Sequence, residues 1–80
     1  MRILDAETQR SLHDLQLYLT PAEATEFRDA LQELLRNPEA LEHRHVLGDG
    51  REISFSLITP GKLSNLGGYT DVERRVLQER

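Results

Sequence analysis

The stretch Leu15–Asn37, LQLYLTPAEATEFRDALQELLRN, constrains this chain more than any other, because it contains a helix start with little latitude. Thr20 stands at an N-cap position and Glu23 follows three residues later. The threonine hydroxyl can accept from the Glu23 N–H while the Glu23 carboxylate accepts from the Thr20 N–H, a capping box that contributes on the order of 1 kcal/mol. Pro21 falls at the first helical position, where its fixed φ suits the helix and no N–H is needed. Beyond it, Ala24, Phe27, Leu31, Leu34 and Leu35 recur at three- and four-residue spacing, with Ala30 at the edge of the stripe. Glu26, Asp29, Gln32, Glu33 and Arg36 occupy the other face. Asn37, which tolerates left-handed backbone, and Pro38 close the helix after about four turns. Ahead of it, Leu15, Leu17 and Leu19 alternate with Gln16 and Tyr18, the period of a strand with one covered face.

The first fourteen residues admit two readings. One is a hairpin: a strand around Arg2–Ala6, a polar turn over Thr8–Ser11, and a second strand from Leu12. The other is a helix from Asp5 with Leu12 and Leu15 on one face, which would run into LQLYL without a Gly, Asn or Pro to stop it. The hairpin is the expected form.

After the helix comes an acidic connection over Asn37–Glu42, with Leu41 as its apolar anchor. His43–Leu47 and Arg51–Ile58 then flank Gly48-Asp49-Gly50, a hairpin signal. In the second run Ile53, Phe55 and Leu57 alternate with Glu52, Ser54 and Ser56. Thr59-Pro60-Gly61-Lys62 has the composition of a type II turn. A second capping box, Thr70 with Glu73, opens a short C-terminal helix in which Val72, Val76 and Leu77 share a face. Arg74, Arg75 and Arg80 lie towards its C-terminus, as the dipole favours. Assembled, the elements predict a single small α+β domain over residues 1–80. The expected form is a two-layer ββαββα sandwich, its four-stranded, mostly antiparallel sheet covered by one long helix, with the short C-terminal helix beside it. The remaining sheet face, carrying Tyr18, Ser54 and Ser56, is open to solvent or meets a second copy.

The stretch Leu17–Leu35, followed by His43 and His45 ahead of Glu52-Ile53-Ser54-Phe55, resembles small uncharacterised bacterial proteins that place such a strand–helix stretch before a His-rich strand. The likeness covers about half the chain. It implies an α+β fold and brings no established activity. Some small α+β proteins of this kind look like immunity proteins that neutralise toxins.

Composition narrows the function. The chain has no cysteine, so neither a disulfide nor a thiolate metal site can staple it. It has no tryptophan, two phenylalanines and two tyrosines, which leaves the core to leucine. Self-association is the remaining common way to add buried area, and a homodimer is expected. A signal-peptide pattern and an apolar run near 18 residues are both missing from the sequence, which reads as cytoplasmic and soluble, with no membrane partner. Residues 21–42 set Arg28 and Arg36 against Glu23, Glu26, Asp29, Glu33, Glu39 and Glu42, a balance of −4 that equals the net charge of the whole chain. Such a field repels phosphate backbones, and nucleic acid is not an expected partner.

Candidate chemistry is sparse. His43 and His45 form an HxH pair whose imidazoles share a face of a strand, with Glu42, Asp49, Glu52 or His13 as possible third ligands. Two histidines without a third fixed ligand are weak evidence for a metal, and they read as solvent-facing, with no metal assigned. Gly61-Lys62 lacks the rest of a phosphate loop, since Ser56 and Leu63 stand where that motif needs Gly and Ser or Thr. Gly67-Gly68-Tyr69 precedes a helix N-terminus that Thr70 and Glu73 already satisfy. No nucleophile elbow is present, and nothing sets two carboxylates in an apolar cleft. The chain is expected to be no enzyme and to need no cofactor. Two interaction surfaces stand out instead. Tyr18 with Arg44 and Arg51 would make a hot spot on the sheet. Glu26, Asp29 and Glu33 on the helix would suit a basic partner, as in an immunity- or antitoxin-type inhibitor.

Overall fold

The structure is a computed structural model that describes residues 1–79; Arg80, expected at the end of the last helix, lies outside the described residues. In chain order it contains β1 (Leu4–Asp5), β2 (Arg10–Ser11), α1 (Pro21–Leu35), β3 (His43–Gly48), β4 (Arg51–Ser56), α2 (Pro60–Leu63) and α3 (Asp71–Leu77). It is a small α+β protein with two antiparallel two-stranded sheets, β1–β2 and β3–β4, among the described residues. These elements fall into two compact units, one over Tyr18–Thr59 and one joining Met1–Leu17 to the chain from Pro60 onward.

The Tyr18–Thr59 unit is built from α1 and the β3–β4 hairpin. Asp49 (φ 52) and Gly50 (φ 74) both take left-handed backbone, the type I′ turn whose twist matches the flanking strands. That turn sets the register, from Gly48 opposite Arg51 to His43 opposite Ser56. At the head of α1 the capping box forms as the sequence requires: Glu23 N–H donates to Thr20 Oγ1 at 3.1 Å and Thr20 N–H to Glu23 Oε1 at 2.9 Å. Phe27 meets Phe55 edge to face with ring centroids 5.0 Å apart, and Leu34 and Val46 are buried. The Thr59 hydroxyl donates to Glu39 at 2.8 Å, tying the acidic connection to the end of the unit.

Three expectations are corrected here. The covered row of α1 is half-buried Phe27 and Ala30 with buried Leu34, continuing the line of Glu23, while Ala24, Leu31 and Leu35 are exposed. The hairpin meets the face whose first turn is held by the cap, and small Ala30 lies in that row. Asn37 is not left-handed either; among the described non-glycine residues only Gln9 and Asp49 are. The helix ends instead on Arg36 and Asn37 N–H groups, which donate three residues back to Glu33 and Leu34, a tightening that satisfies its last carbonyls.

The third correction concerns the sheet. Leu15–Leu19 forms no strand, so the four-stranded sheet does not exist and the strands stay in two pairs. The whole run is exposed, and the alternation survives only as a difference in degree: Leu15, Leu17 and Leu19 are 48%, 45% and 41% exposed against 88% for Tyr18. Alternation says which side chains are covered, but a strand also needs a run of backbone pairs, which side-chain pattern does not supply.

In the other unit an N-terminal hairpin is present but displaced: its second strand is Arg10–Ser11, inside the expected turn, and no strand runs from Leu12. Leu4 pairs with Ser11 and Asp5 with Arg10 around a turn over residues 6–9. The Asp5 carboxylate accepts from the N–H groups of Glu7 at 3.0 Å and Thr8 at 3.4 Å, an Asx turn, and Gln9 completes the reversal at φ 59. The segment Thr59–Lys62, read as a type II turn, leads instead into the single helical turn α2, with Ser64 N–H donating to Pro60 O at 3.2 Å. Pro60 at the helix start is compatible with either form. The second capping box is present at Thr70 and Glu73, and Val76 of α3 is buried. Glu79 joins this helix end to the hairpin, its carbonyl accepting from Arg2 and its carboxylate from Ser11, each at 2.6 Å.

Candidate functional site

The register of β3–β4 sorts its side chains onto two faces. Arg44, Val46 and Gly48 share one with Phe55, Ile53 and Arg51, and Phe55 on that face meets Phe27 of α1. His43, His45 and Leu47 share the other with Ser56, Ser54 and Glu52. This second face is exposed throughout and carries the one dense cluster of polar chemistry in the unit.

The expected pairing of His43 with His45 on a single face is what the strand produces. Their rings meet edge to face, centroids 4.7 Å apart and planes at 86°. His45 Nδ1 lies 2.5 Å from Glu52 Oε1 and 2.7 Å from Ser54 Oγ. In the tautomer with the hydrogen on Nδ1, the ring faces these two oxygens as a donor and Nε2 keeps a lone pair. Glu52 and Ser54 were not read from the sequence as partners of His45. The signal was available: an Asp-Gly turn of two residues places Ser54 directly opposite His45 and Glu52 on the diagonal. No group of three or more His, Asp or Glu side chains is arranged to hold a metal ion among the described residues. Glu42 pairs with Arg44 at 3.4 Å instead, and His13 belongs to the other unit.

The expected Tyr18–Arg44–Arg51 patch does not lie on a sheet face, since Tyr18 is outside any strand. The two arginines are at opposite ends of the hairpin, Arg44 opposite Phe55 and Arg51 opposite Gly48, roughly 13 Å apart along β3 at strand spacing. Arg44 reaches the His43 carbonyl at 3.2 Å and the Glu42 carboxylate; Arg51 reaches the Asp49 carbonyl at 3.3 Å. A shallow open depression lies over this turn, lined by Leu47–Glu52.

Glu26, Asp29 and Glu33 are all exposed and, at three- and four-residue spacing, share the outer face of α1. Asp29 is 3.2 Å from Arg28 and Glu33 3.1 Å from Arg36, so two of the three carboxylates carry an arginine beside them. Lys62, considered for a phosphate loop, is buried within α2. Among the described residues no helix is long and apolar enough to cross a membrane.

Compared with protein-family models, with curated proteins and with solved structures, the chain matches none of them.

Proposed function

We propose that this chain is a non-enzymatic protein-interaction module that self-associates. The observation that supports it is how little apolar surface one copy covers. Among the described residues Leu34, Val46 and Val76 are the buried hydrophobic ones, while ten large apolar side chains are exposed, Leu35, Leu41 and Leu47 among them. Covering that surface with a second copy is a physical route to added stability in a domain with no cysteine. Light scattering over a concentration series tests it, with Leu35→Lys and Leu47→Lys probing α1 and the open hairpin face separately. Tyr18→Ala probes the most exposed aromatic ring. A mass that stays at one chain across the series refutes the reading.

A second reading rests on Glu26, Asp29 and Glu33, which form one exposed acidic helix face. It makes the protein an immunity- or antitoxin-type inhibitor of a basic partner, with binding that weakens as salt rises. Capture of a cationic protein that is lost in Glu26→Lys/Glu33→Lys chain would favour it. Capture that ignores both salt and these substitutions counts against it.

A further inference from the structure

We propose that His43 and His45 form a two-imidazole site for a divalent first-row transition ion such as Zn²⁺ or Ni²⁺, with Glu52 as the positioning residue.

Three observations converge on this face of β3–β4. The first is separation. Two imidazoles on one ion, with metal–nitrogen distances of about 2.0–2.1 Å and bond angles between octahedral and tetrahedral, have ring centroids roughly 4.5–5.2 Å apart. The His43 and His45 centroids are 4.7 Å apart. The second is orientation. Histidine ligands of metals characteristically donate the other ring N–H to a carboxylate, which fixes the tautomer and raises the basicity of the ligating nitrogen. Glu52 Oε1 already lies 2.5 Å from His45 Nδ1, and Ser54 Oγ adds a second polar contact at 2.7 Å. In the tautomer with the hydrogen on Nδ1, Nε2 is the ligating atom. The third is access, since both histidines are exposed on a face that α1 does not cover.

The ligand type selects the ion. Imidazole nitrogen suits zinc, nickel and copper, whereas calcium and magnesium call for oxygen sets. With two protein ligands, the remaining positions fall to water or to an exogenous donor.

Isothermal titration of untagged protein with ZnCl₂, alongside histidine ¹H–¹⁵N spectra, tests the proposal. Expected are saturable uptake and shifts confined to the His43 and His45 ring nitrogens. His43→Asn and His45→Asn should each weaken binding at least about tenfold, and Glu52→Gln by about 10–100-fold, the usual effect of losing such a carboxylate. His13→Asn should leave it unchanged. These side chains are exposed, and far-UV dichroism checks that each variant folds. The proposal is overturned by an absence of saturable uptake, by uptake that survives both histidine substitutions, or by Ca²⁺ binding as well as Zn²⁺. An unchanged affinity in Glu52→Gln removes Glu52 from its positioning role.

Discussion

Glu23 and Gly48 are in mutual contact: a Cβ built on Gly48 would come 2.7 Å from Glu23 Oε2, while Glu23 Oε1 accepts from the Thr20 N–H at 2.9 Å. One carboxylate therefore caps α1 and rests against the end of β3. A side chain on residue 48 cannot be added without moving the cap. Gly48→Ala should lower the thermal midpoint by a few degrees in the wild type. In a Glu23→Ala background it should cost nothing, since no carboxylate is left to displace and Ala suits a strand better than Gly. A double-mutant cycle by thermal unfolding measures the coupling; additive losses would show that the contact is immaterial.

Acid should loosen the same joint. The Thr20 N–H, and after it the Thr20 hydroxyl, hold the Glu23 carboxyl below the usual range, and the Thr8 hydroxyl and the Thr8 and Glu7 N–H groups do the same for Asp5. Because both groups are more acidic folded than unfolded, their contribution is fully present above the unfolded carboxylate range. It is lost as pH falls through the folded values. The thermal midpoint should hold steady above about pH 5 and fall below about pH 4. In Thr20→Ala the cap is lost at neutral pH, at a cost of about 1 kcal/mol, and the acid-dependent drop should shrink.

Adjacent leucines should behave as opposites. Leu34 is 3% exposed and Leu35 63%. Leu34→Ala should cost about 2–5 kcal/mol, a large part of what a domain this small can hold. Leu35→Ala, measured at low protein concentration, should stay within about 0.5 kcal/mol. Urea unfolding followed by dichroism separates the two; equal losses would mean that the buried row of α1 runs elsewhere.

The β3–β4 turn offers a test free of steric effects. Nothing lies within 4 Å of a Cβ built on Gly50, yet its φ is +74. Gly50→Ala should cost roughly 1–2 kcal/mol from left-handed backbone alone. Asp49→Gly should be close to neutral. A neutral Gly50→Ala would argue against a type I′ turn.

What could be read from the sequence was whatever depends on neighbours a few residues away. Both capping boxes and the Asp49-Gly50 turn are of that kind, because their hydrogen bonds close within four residues. The pairing of His43 with His45 on one face follows equally from strand period. What depends on distant partners was not legible. Leu15–Leu19 is exposed and forms no strand, and the leucine stripe of α1 lost to Ala30 because the hairpin's choice of face is a tertiary matter. The contact of Glu52 and Ser54 with His45 lay between these cases, deducible from the turn once the register was worked out.

The two compact units differ in how the chain supplies them. Tyr18–Thr59 is one unbroken segment, whereas the other unit needs both ends of the chain. As the polypeptide leaves the ribosome, the first can close on its helix and hairpin through short loops alone. The second must wait until α3 has been synthesised, because Ser11 and Glu79, 68 residues apart, are hydrogen-bonded within it. Loop-closure entropy grows with the length spanned, and contacts far apart in sequence form slowly. The joining of β1–β2 to α3 is therefore the later step, and loss of either segment removes that unit while leaving the contiguous one its own contacts.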